Sequence, residues 1–518
     1  PPPPPKGAPT GGVKSGSQGP PPYSQSAGTP YLGAINNTFN IPGQYTAANY
    51  PGISQTMGDI NALFYNWMNN PNQMGFFSPI PIAINKGSGR YTHAFNDLVV
   101  YTRSAPLYLG RTHASDQQGR PGNFGWNWSF DEKMIVFQNL VLYQLPDGNA
   151  TVYQDDGEGY RPTMSHNTTQ LTRVDERTFR FDYKGGGSSL FQIPAGLTPD
   201  SEHPVLAVLQ TTTDTNGISN TFKWDSTGQR LLKMQGPDPS QFIRLQWQDG
   251  DHPKLLSACD SHGRTVCYDY SAFTSPQGER DYLLSEVTLT GDRSIQFRYH
   301  PVLGRRQYEL LDVSHNKVIQ EKVVANPKSP GQIKEVTHRP DKTLTFTRQV
   351  DEESGEVSTT FTQKSASNNS PGGLSQSLRY QIDDEDRVVS VKDDLENEIH
   401  YEWDENENIV HVFDNEGHEL RFEFDDRRNM LSAQDQLGRV SRMEWDAQDN
   451  LVASEDTLNR RSTSTFDERR NPLSVTDNLG HTTSIAWNEF GSPTSITNSL
   501  GNSVLMEYSS KGFLEAIQ

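Results

Sequence analysis

The feature that most constrains this chain is a 21-residue beat in its last 140 residues. An aromatic or aliphatic residue followed by an acid or its equivalent recurs at Ile382-Asp383, Trp403-Asp404, Phe424-Asp425, Trp445-Asp446, Phe466-Asp467, Trp487-Asn488 and Tyr508-Ser509. A second marker keeps the same step at Asp393, Asp414, Asp435, Asp456, Asp477 and Asn498, opening turns such as Asp435-Gln436-Leu437-Gly438-Arg439 and Asp477-Asn478-Leu479-Gly480-His481. A repeat unit with two turns contains two strands.

Between the markers, side chains alternate with period two. One apolar column reads Tyr401/Trp403, Phe422/Phe424, Met443/Trp445, Ser464/Phe466, Ile485/Trp487 and Met506/Tyr508. The return strand supplies Val391, Val412, Ala433, Ser454, Val475, Ile496 and Ile517, and the positions between are polar. After each aromatic-acid pair come Glu407-Asn408, Arg428-Asn429, Asp449-Asn450, Arg470-Asn471, Gly491-Ser492 and Gly512-Phe513, where Asn or Gly is expected to take the positive φ of a tight reversal. At about 10 Å of sheet per hairpin, seven units make roughly 70 Å, so the ribbon must coil. The expected fold is all-β, repeated hairpins coiled into a large hollow shell, with a disordered Pro/Gly-rich N-terminus and a small N-terminal cap holding one short helix.

Five regions follow from the text. Residues 1–30, opening on five prolines, read as a disordered linker. Residues 31–90 read as a cap or plug, with Ile60, Leu63, Phe64, Trp67 and Met68 at helical spacing after an Asp59 N-cap. Residues 91–200 read as a β-rich opening of the core, 201–375 as degenerate repeats with insertions, and 376–518 as the regular repeats. Within the fourth region the phase is lost between about 320 and 376, which suggests irregular insertions or long loops.

Composition removes several function classes. A formal charge of −19, from 64 acidic against 45 basic side chains, argues against a nucleic-acid partner. No apolar run is long enough to span a bilayer as a helix. Two cysteines make no disulfide framework; Cys259 and Cys267 flank the turn at Asp260–Gly263 and either face each other across a hairpin or remain thiols. Asp404-Glu405-Asn406-Glu407-Asn408 starts like a calcium loop, but Ile409 stands where Gly is required and Asn415 where a bidentate Glu is, so a hairpin turn is the reading. Asp155 to Gly159 is read as a solvated turn. Zinc spacing and a Gly-x-Ser-x-Gly elbow are absent, so no catalytic, cofactor-binding or metal residues are assigned. The residues singled out are structural: Trp403, Asp404, Phe424, Asp425, Trp445, Asp446, Phe466, Asp467, Trp487, Tyr508, Gly438 and Gly480. Their rings are expected to pack between strands rather than bind sugar, with Trp445→Ala or Phe424→Ala costing about 3–5 kcal/mol if the rings are core.

The aromatic-Asp and Asp-x-Leu-Gly-Arg markers at a 21-residue step resemble the YD repeats of Rhs proteins, strongly over 376–518 and weakly over about 200–320. Asn96 to Val100, Pro106 to Ser115 and Gly122 to Glu132 are similar to the segment that opens the Rhs core, with His113, Asn127 and Trp128 departing from its pattern. The resemblance implies a shell segment that encloses a C-terminal toxin domain for export into competitor or host cells, often by type VI secretion. The partners it implies are that toxin in cis, further shell repeats, a secretion spike of the VgrG/PAAR kind and a chaperone. The family's self-cleavage motif has no counterpart, since Asp238-Pro239 continues as Ser240-Gln241. The same repeat also occurs in extracellular adhesion proteins and in the shell component of tripartite insecticidal toxins, which are the alternative roles.

Overall fold

A computed structural model describes residues 82–84 and 91–518, apart from short interruptions between 115 and 386. The linker at 1–30, the helix at 59–68 and almost all of the cap fall outside the described residues. Among the described residues every regular element is a strand, which agrees with the all-β expectation.

The strands form three bodies of work. Ile82–Ile84, Tyr91–Val100, Leu107–Ala114 and Trp128–Ser129 make a small antiparallel sheet. Eight strands from Lys133–Val136 to Val205–Thr213 then close a ring, because Val205, Leu206 and Ala207 pair back to Val136, Ile135 and Met134. Met134, Val136, Val141, Tyr153, Phe179, Phe181 and Phe191 fill it as a core of its own, as expected for a barrel of eight strands.

Val205–Thr213 also starts the ribbon. Its far half, Thr211 to Thr213, pairs with Ser219–Trp224, and from there each strand pairs antiparallel with its sequence neighbours as far as Leu514–Ile517. The apolar face of this ribbon and Leu98, Val100, Leu107 and Leu109 of the small sheet share one core, which runs on through Leu284, Phe346 and Tyr401 to Leu420. A single core spanning that much ribbon requires the ribbon to bend around the hairpin Tyr91–Ala114.

Within the stretch from 320 to 376, where the repeat phase is lost, Val318–Ala325, Ile333–His338, Lys342–Val350 and Val357–Ser365 are strands of six to nine residues that pair in succession, with a register shift at Val324/Ala325. Longer strands move the turn markers off the 21-residue step while the ladder continues. Cys259 and Cys267 are both free, because register sets Cys259 opposite Thr265 and Cys267 opposite Ser257 rather than opposite each other.

Candidate functional site: the ribbon rims and the buried pair beneath them

Each hairpin unit contributes one turn to each rim of the ribbon, and both rims use the same five-residue device. On the first rim, Asp404 Oδ1 accepts from the backbone N–H of Asn406 and of Asn408 at 2.9 and 2.8 Å, while Oδ2 accepts from Asn408 Nδ2 at 2.8 Å. Asp425, Asp446 and Asp467 repeat these bonds with Asn429, Asn450 and Asn471. On the second rim the fifth residue is often arginine: Asp435 Oδ1 accepts from Leu437 N and Arg439 N at 3.0 Å, and Arg439 Nε donates to Oδ2 at 2.7 Å. Asp260–Arg264 and Asp456–Arg460 on that rim are built alike, and Asp383–Arg387 brings the arginine form to the first rim. A carboxylate that caps two backbone amides and grips the fifth side chain fixes the reversal, so the acid of each marker is a turn residue.

Gly491 and Gly512 take the expected positive φ, but in the turns that end on asparagine it falls one residue earlier than the sequence suggested. Glu407, Arg428, Asp449 and Arg470 adopt φ of 59 to 68°, and the asparagines that follow are the residues held by the aspartate. Gly491, Gly438 and Gly480 occupy the same fourth place, with φ of 72, 74 and 84°. The non-glycine residues are retained at a strained place for what their side chains reach. Arg428 Nε donates to Asn408 Oδ1 at 2.8 Å, and Asp449 Oδ1 accepts from Asn429 Nδ2 at 2.7 Å. Successive turns on one rim are thereby tied together.

The aromatic member of each marker has a task besides the core packing seen for Trp224, Tyr270, Tyr299 and Trp403. Trp403, Trp445 and Trp487 donate their indole N–H to the carbonyls of Val388, Met430 and Pro472 at 3.0, 2.7 and 2.7 Å. Tyr508, Tyr270 and Tyr299 use their hydroxyls on Pro493, Leu255 and Leu284 at 2.9, 2.7 and 2.7 Å, and Trp224 reaches Leu209 O at 2.7 Å. Each acceptor lies 15 residues upstream, at the end of the neighbouring hairpin's strand. The ladder between Val388–Asp393 and Glu398–Trp403 stops at Ser390–His400, so the ring supplies the donor that the backbone does not. Trp445 and Phe424 are half-buried, so the condition on which the larger alanine cost rested, rings sealed in a core, is not met at these two positions. Phe424 and Phe466 keep the place without the donor. Trp445→Phe is expected to lower stability by about 0.5–1.5 kcal/mol, the range for one hydrogen bond, when measured by urea denaturation.

Turn carboxylates also set a pH response. Burial pushes the Asp446 carboxyl up, but the amides of Asn450 and Gln448 and the Asn450 side chain outweigh it and leave the group below its ordinary value. At Asp456 burial is likewise outweighed, by the Arg460 guanidinium and the amides of Arg460 and Leu458. A carboxyl depressed by folding adds stability above its unfolded pKa and loses it as pH falls through the folded one. The melting temperature is therefore expected to hold from pH 7 to about 5 and to fall below about 4, where free aspartate titrates. Asp456→Asn, which keeps the amide acceptor and loses the ion pair, is expected to shrink that fall in a pH series of thermal melts.

Beneath the ribbon lies a polar cluster that no repeat marker announces. Arg111 Nε meets Asp97 Oδ2 at 2.8 Å with both side chains at most 1% exposed. Tyr268 of the ribbon donates its hydroxyl to the same oxygen at 2.9 Å. Burial, and then the Asp97 charge, raise the Tyr268 pKa well above its ordinary value, so it stays a donor. The guanidinium lies 4.4 and 5.0 Å from the centroids of Phe95 and Phe297, two rings that themselves meet edge to face at 5.6 Å. His113 beside it is pushed down to about 3 by burial and then by His93, and is neutral at physiological pH. The cluster joins the small sheet to the ribbon. Its aspartate, arginine and tyrosine are committed to one another, which gives them a joining role.

For metals, ligand atoms of Asp414, Glu416 and His418 lie within 4.8 Å of one another. His418 Nδ1 is already paired with Asp414 Oδ2 at 2.8 Å, and the trio is the ordinary rim turn. Asp404 to Asn408, the calcium-like run, is likewise a closed turn.

The rims also meet each other. Asn471 Nδ2 donates to Asn216 Oδ1 at 2.9 Å across 255 residues, and Arg470 NH1 donates to Lys184 O at 2.7 Å. Lys184 in turn donates to Arg427 O. Arg103 lies 4.1 Å over the Phe490 ring, and a Cβ at Gly512 would meet the Arg103 side chain. The first rim of the late repeats is thus seated on the 183–187 turn of the small barrel, on the ribbon's own turn at 214–218 and on Arg103 of the small sheet's hairpin, so the ribbon returns on itself.

No family model matches the sequence, and no curated protein matches it. Among solved structures, the chain is similar to a TcdB2-TccC3-Cdc42 complex at 9% identity and a TM-score of 0.39, over 83% of this chain and 26% of that one. A Tc holotoxin pore of Photorhabdus luminescens matches at 8% identity and a TM-score of 0.38, over 82% and 26%. TcdB2-TccC3 alone matches at 9% and 0.32, over 82% and 28%. The chain spans little more than a quarter of the length of these solved chains. Among the described residues no helix is long and apolar enough to cross a membrane.

Proposed function

We propose that this chain is a non-enzymatic wall segment of a toxin shell, exported from the cell that makes it, whose concave face holds a polypeptide cargo. The observation that carries the reading is the fate of one apolar column. Val391 and Val412 are buried in the core shared with the small sheet. The same column continues to Ile496 and Ile517, which are 38 and 63% exposed. A face that is covered by protein where the small sheet lies, and bare where it does not, is suited to a guest. Closure of rim on rim would keep that guest from solvent, and would hide strand rims from other chains. The resemblance of the repeats to those of Rhs proteins makes a toxin domain the cargo of choice, with a secretion spike and chaperone as its accessory partners.

The test is a photo-reactive side chain placed in the full-length natural protein. At Ile496, on the concave face, irradiation is expected to give an adduct with polypeptide that mass spectrometry maps to a toxin domain. At Thr465, on the outer face, none is expected. Adducts only at Thr465, or none at Ile496, would overturn the reading in favour of an adhesive outer surface.

A further inference from the structure

On the outer face of the later repeats, strand cations are matched by acids. Lys392, Arg421, Arg442 and Arg461 each meet a glutamate, at 2.5 to 3.8 Å. The earlier repeats break this habit in one row. Register sets Lys223 directly opposite Lys233, and Lys233 directly opposite Arg244. All three point away from the core, because the residues that alternate with them, Phe222, Trp224, Met234, Ile243 and Leu245, pack into it.

Like charges placed directly opposite across a sheet are destabilising. At about 4.8 Å per strand, these three cations fall within about 10 Å of one another. Their outer-face neighbours Thr221, Gln235, Phe242, Gln246 and Cys259 are all uncharged, and among the described residues no carboxylate pairs with any of the three. Burial, then Arg244 and then Lys223, push the Lys233 ammonium below its ordinary value, and no acid acts the other way. Such a row stands out in a chain whose formal charge is −19. The side chains are also held in place. Lys233 Nζ donates to Gln235 Oε1 at 2.6 Å, which leaves the Gln235 amide N–H groups as further donors beside the row. The Phe242 ring lies 5.0 Å from Lys233 Nζ and 4.5 Å from Arg244 Cζ, so one ring supports both cations.

We propose that Lys223, Lys233 and Arg244 form a binding site for a phosphate-type oxyanion, a phosphomonoester or pyrophosphate group presented to the outer face of the ribbon. Three cations within two strand steps exceed the charge of one carboxylate, whereas a phosphate dianion offers several acceptor oxygens to two ammoniums and a guanidinium at once. The acidic remainder of the chain repels a long polyphosphate backbone such as nucleic acid, so the group belongs to a small molecule or to a lipid headgroup. The site lies on the face turned away from any enclosed cargo, and it stands or falls separately from enclosure.

The test is calorimetric titration of the full chain with inorganic pyrophosphate, beside sedimentation with phosphatidylcholine vesicles that contain phosphatidic acid, whose headgroup is a phosphomonoester. Saturable binding is expected, weakened about tenfold or more by Lys233→Gln or Arg244→Gln, the loss of one charge-assisted contact, and kept within about twofold by Arg461→Gln. Pyrophosphate binding identifies a soluble ligand as the source of the group; sedimentation alone, dependent on the same two cations, identifies a lipid headgroup. Lys233→Gln removes a like-charge contact and is expected to melt higher than the parent in phosphate-free buffer, which separates loss of binding from loss of fold. Lys223→Gln, at the exposed end of the row, gives the same readout should Lys233→Gln not fold. A parent that binds neither probe, or binding that survives these substitutions, would overturn the proposal. Equally tight retention of a tetraglutamate peptide would overturn it too, by making charge alone the thing recognised.

Discussion

Replacing Arg111 with alanine is expected to destabilise the protein by about 3–5 kcal/mol, read as a lower urea midpoint for loss of the core signal. The reason is what remains rather than what leaves. Asp97 would be left without its cation with at most 1% of its side chain exposed, and stranding one partner of a buried pair costs far more than the pair stabilises. The Phe95 and Phe297 rings would also lose the guanidinium packed against both, so Arg111→Lys is expected to recover only part of the loss, lacking the planar group that stacks and donates sideways. The double variant Arg111→Met with Asp97→Asn is expected to lie much closer to the parent than the sum of the single losses. An additive result would mean that the two side chains act independently, contrary to their 2.8 Å contact.

This cluster also marks where sequence reasoning ran out. Asp97 and Arg111 are 14 residues apart on a hairpin, and their third partner, Tyr268, is 171 residues from Asp97. No local pattern ties a tyrosine in a strand to an aspartate that far away. The turns were legible for the opposite reason: Asp404 to Asn408 closes within five residues, so every repeat writes the whole device in adjacent letters. What was misjudged there, the residue bearing positive φ, follows from side chains that reach the next turn 20 residues on, as Arg428 does to Asn408. The aromatic bonds were within reach of the sequence, since Trp403, Trp445, Trp487 and Tyr508 all find a carbonyl 15 residues back. The signal was the preference for rings with a donor, which a reading of rings as core filler discards. Between 318 and 365 the marker spacing carries no strand signal, because turn spacing changes when strands lengthen even though pairing does not.

The seam between coils is the other contact invisible to a local reading, and it can be weighed with a matched pair of substitutions. Gly491 and Gly480 hold the fourth place of their turns at φ of 72 and 84°, so alanine at either pays the same conformational cost of about 1–2 kcal/mol. Their surroundings differ. A Cβ at Gly480 meets nothing within 4 Å, whereas one at Gly491 would fall 2.1 Å from Asn216 Nδ2 and 2.4 Å from its Cγ. Asn216 cannot give way without releasing Asn471, whose side chain it accepts at 2.9 Å. Gly491→Ala is therefore expected to cost about 1–3 kcal/mol more than Gly480→Ala, within the range for overpacking a tight contact. The excess should be local: amide exchange is expected to quicken over 467–513 and at 214–218, while the small barrel at 133–213, with its separate core, keeps its protection up to the seam. Equal effects from the two alanines would show that the late repeats stand clear of the earlier coil, and the ribbon would then have to be drawn as an open spiral whose turns pass without touching.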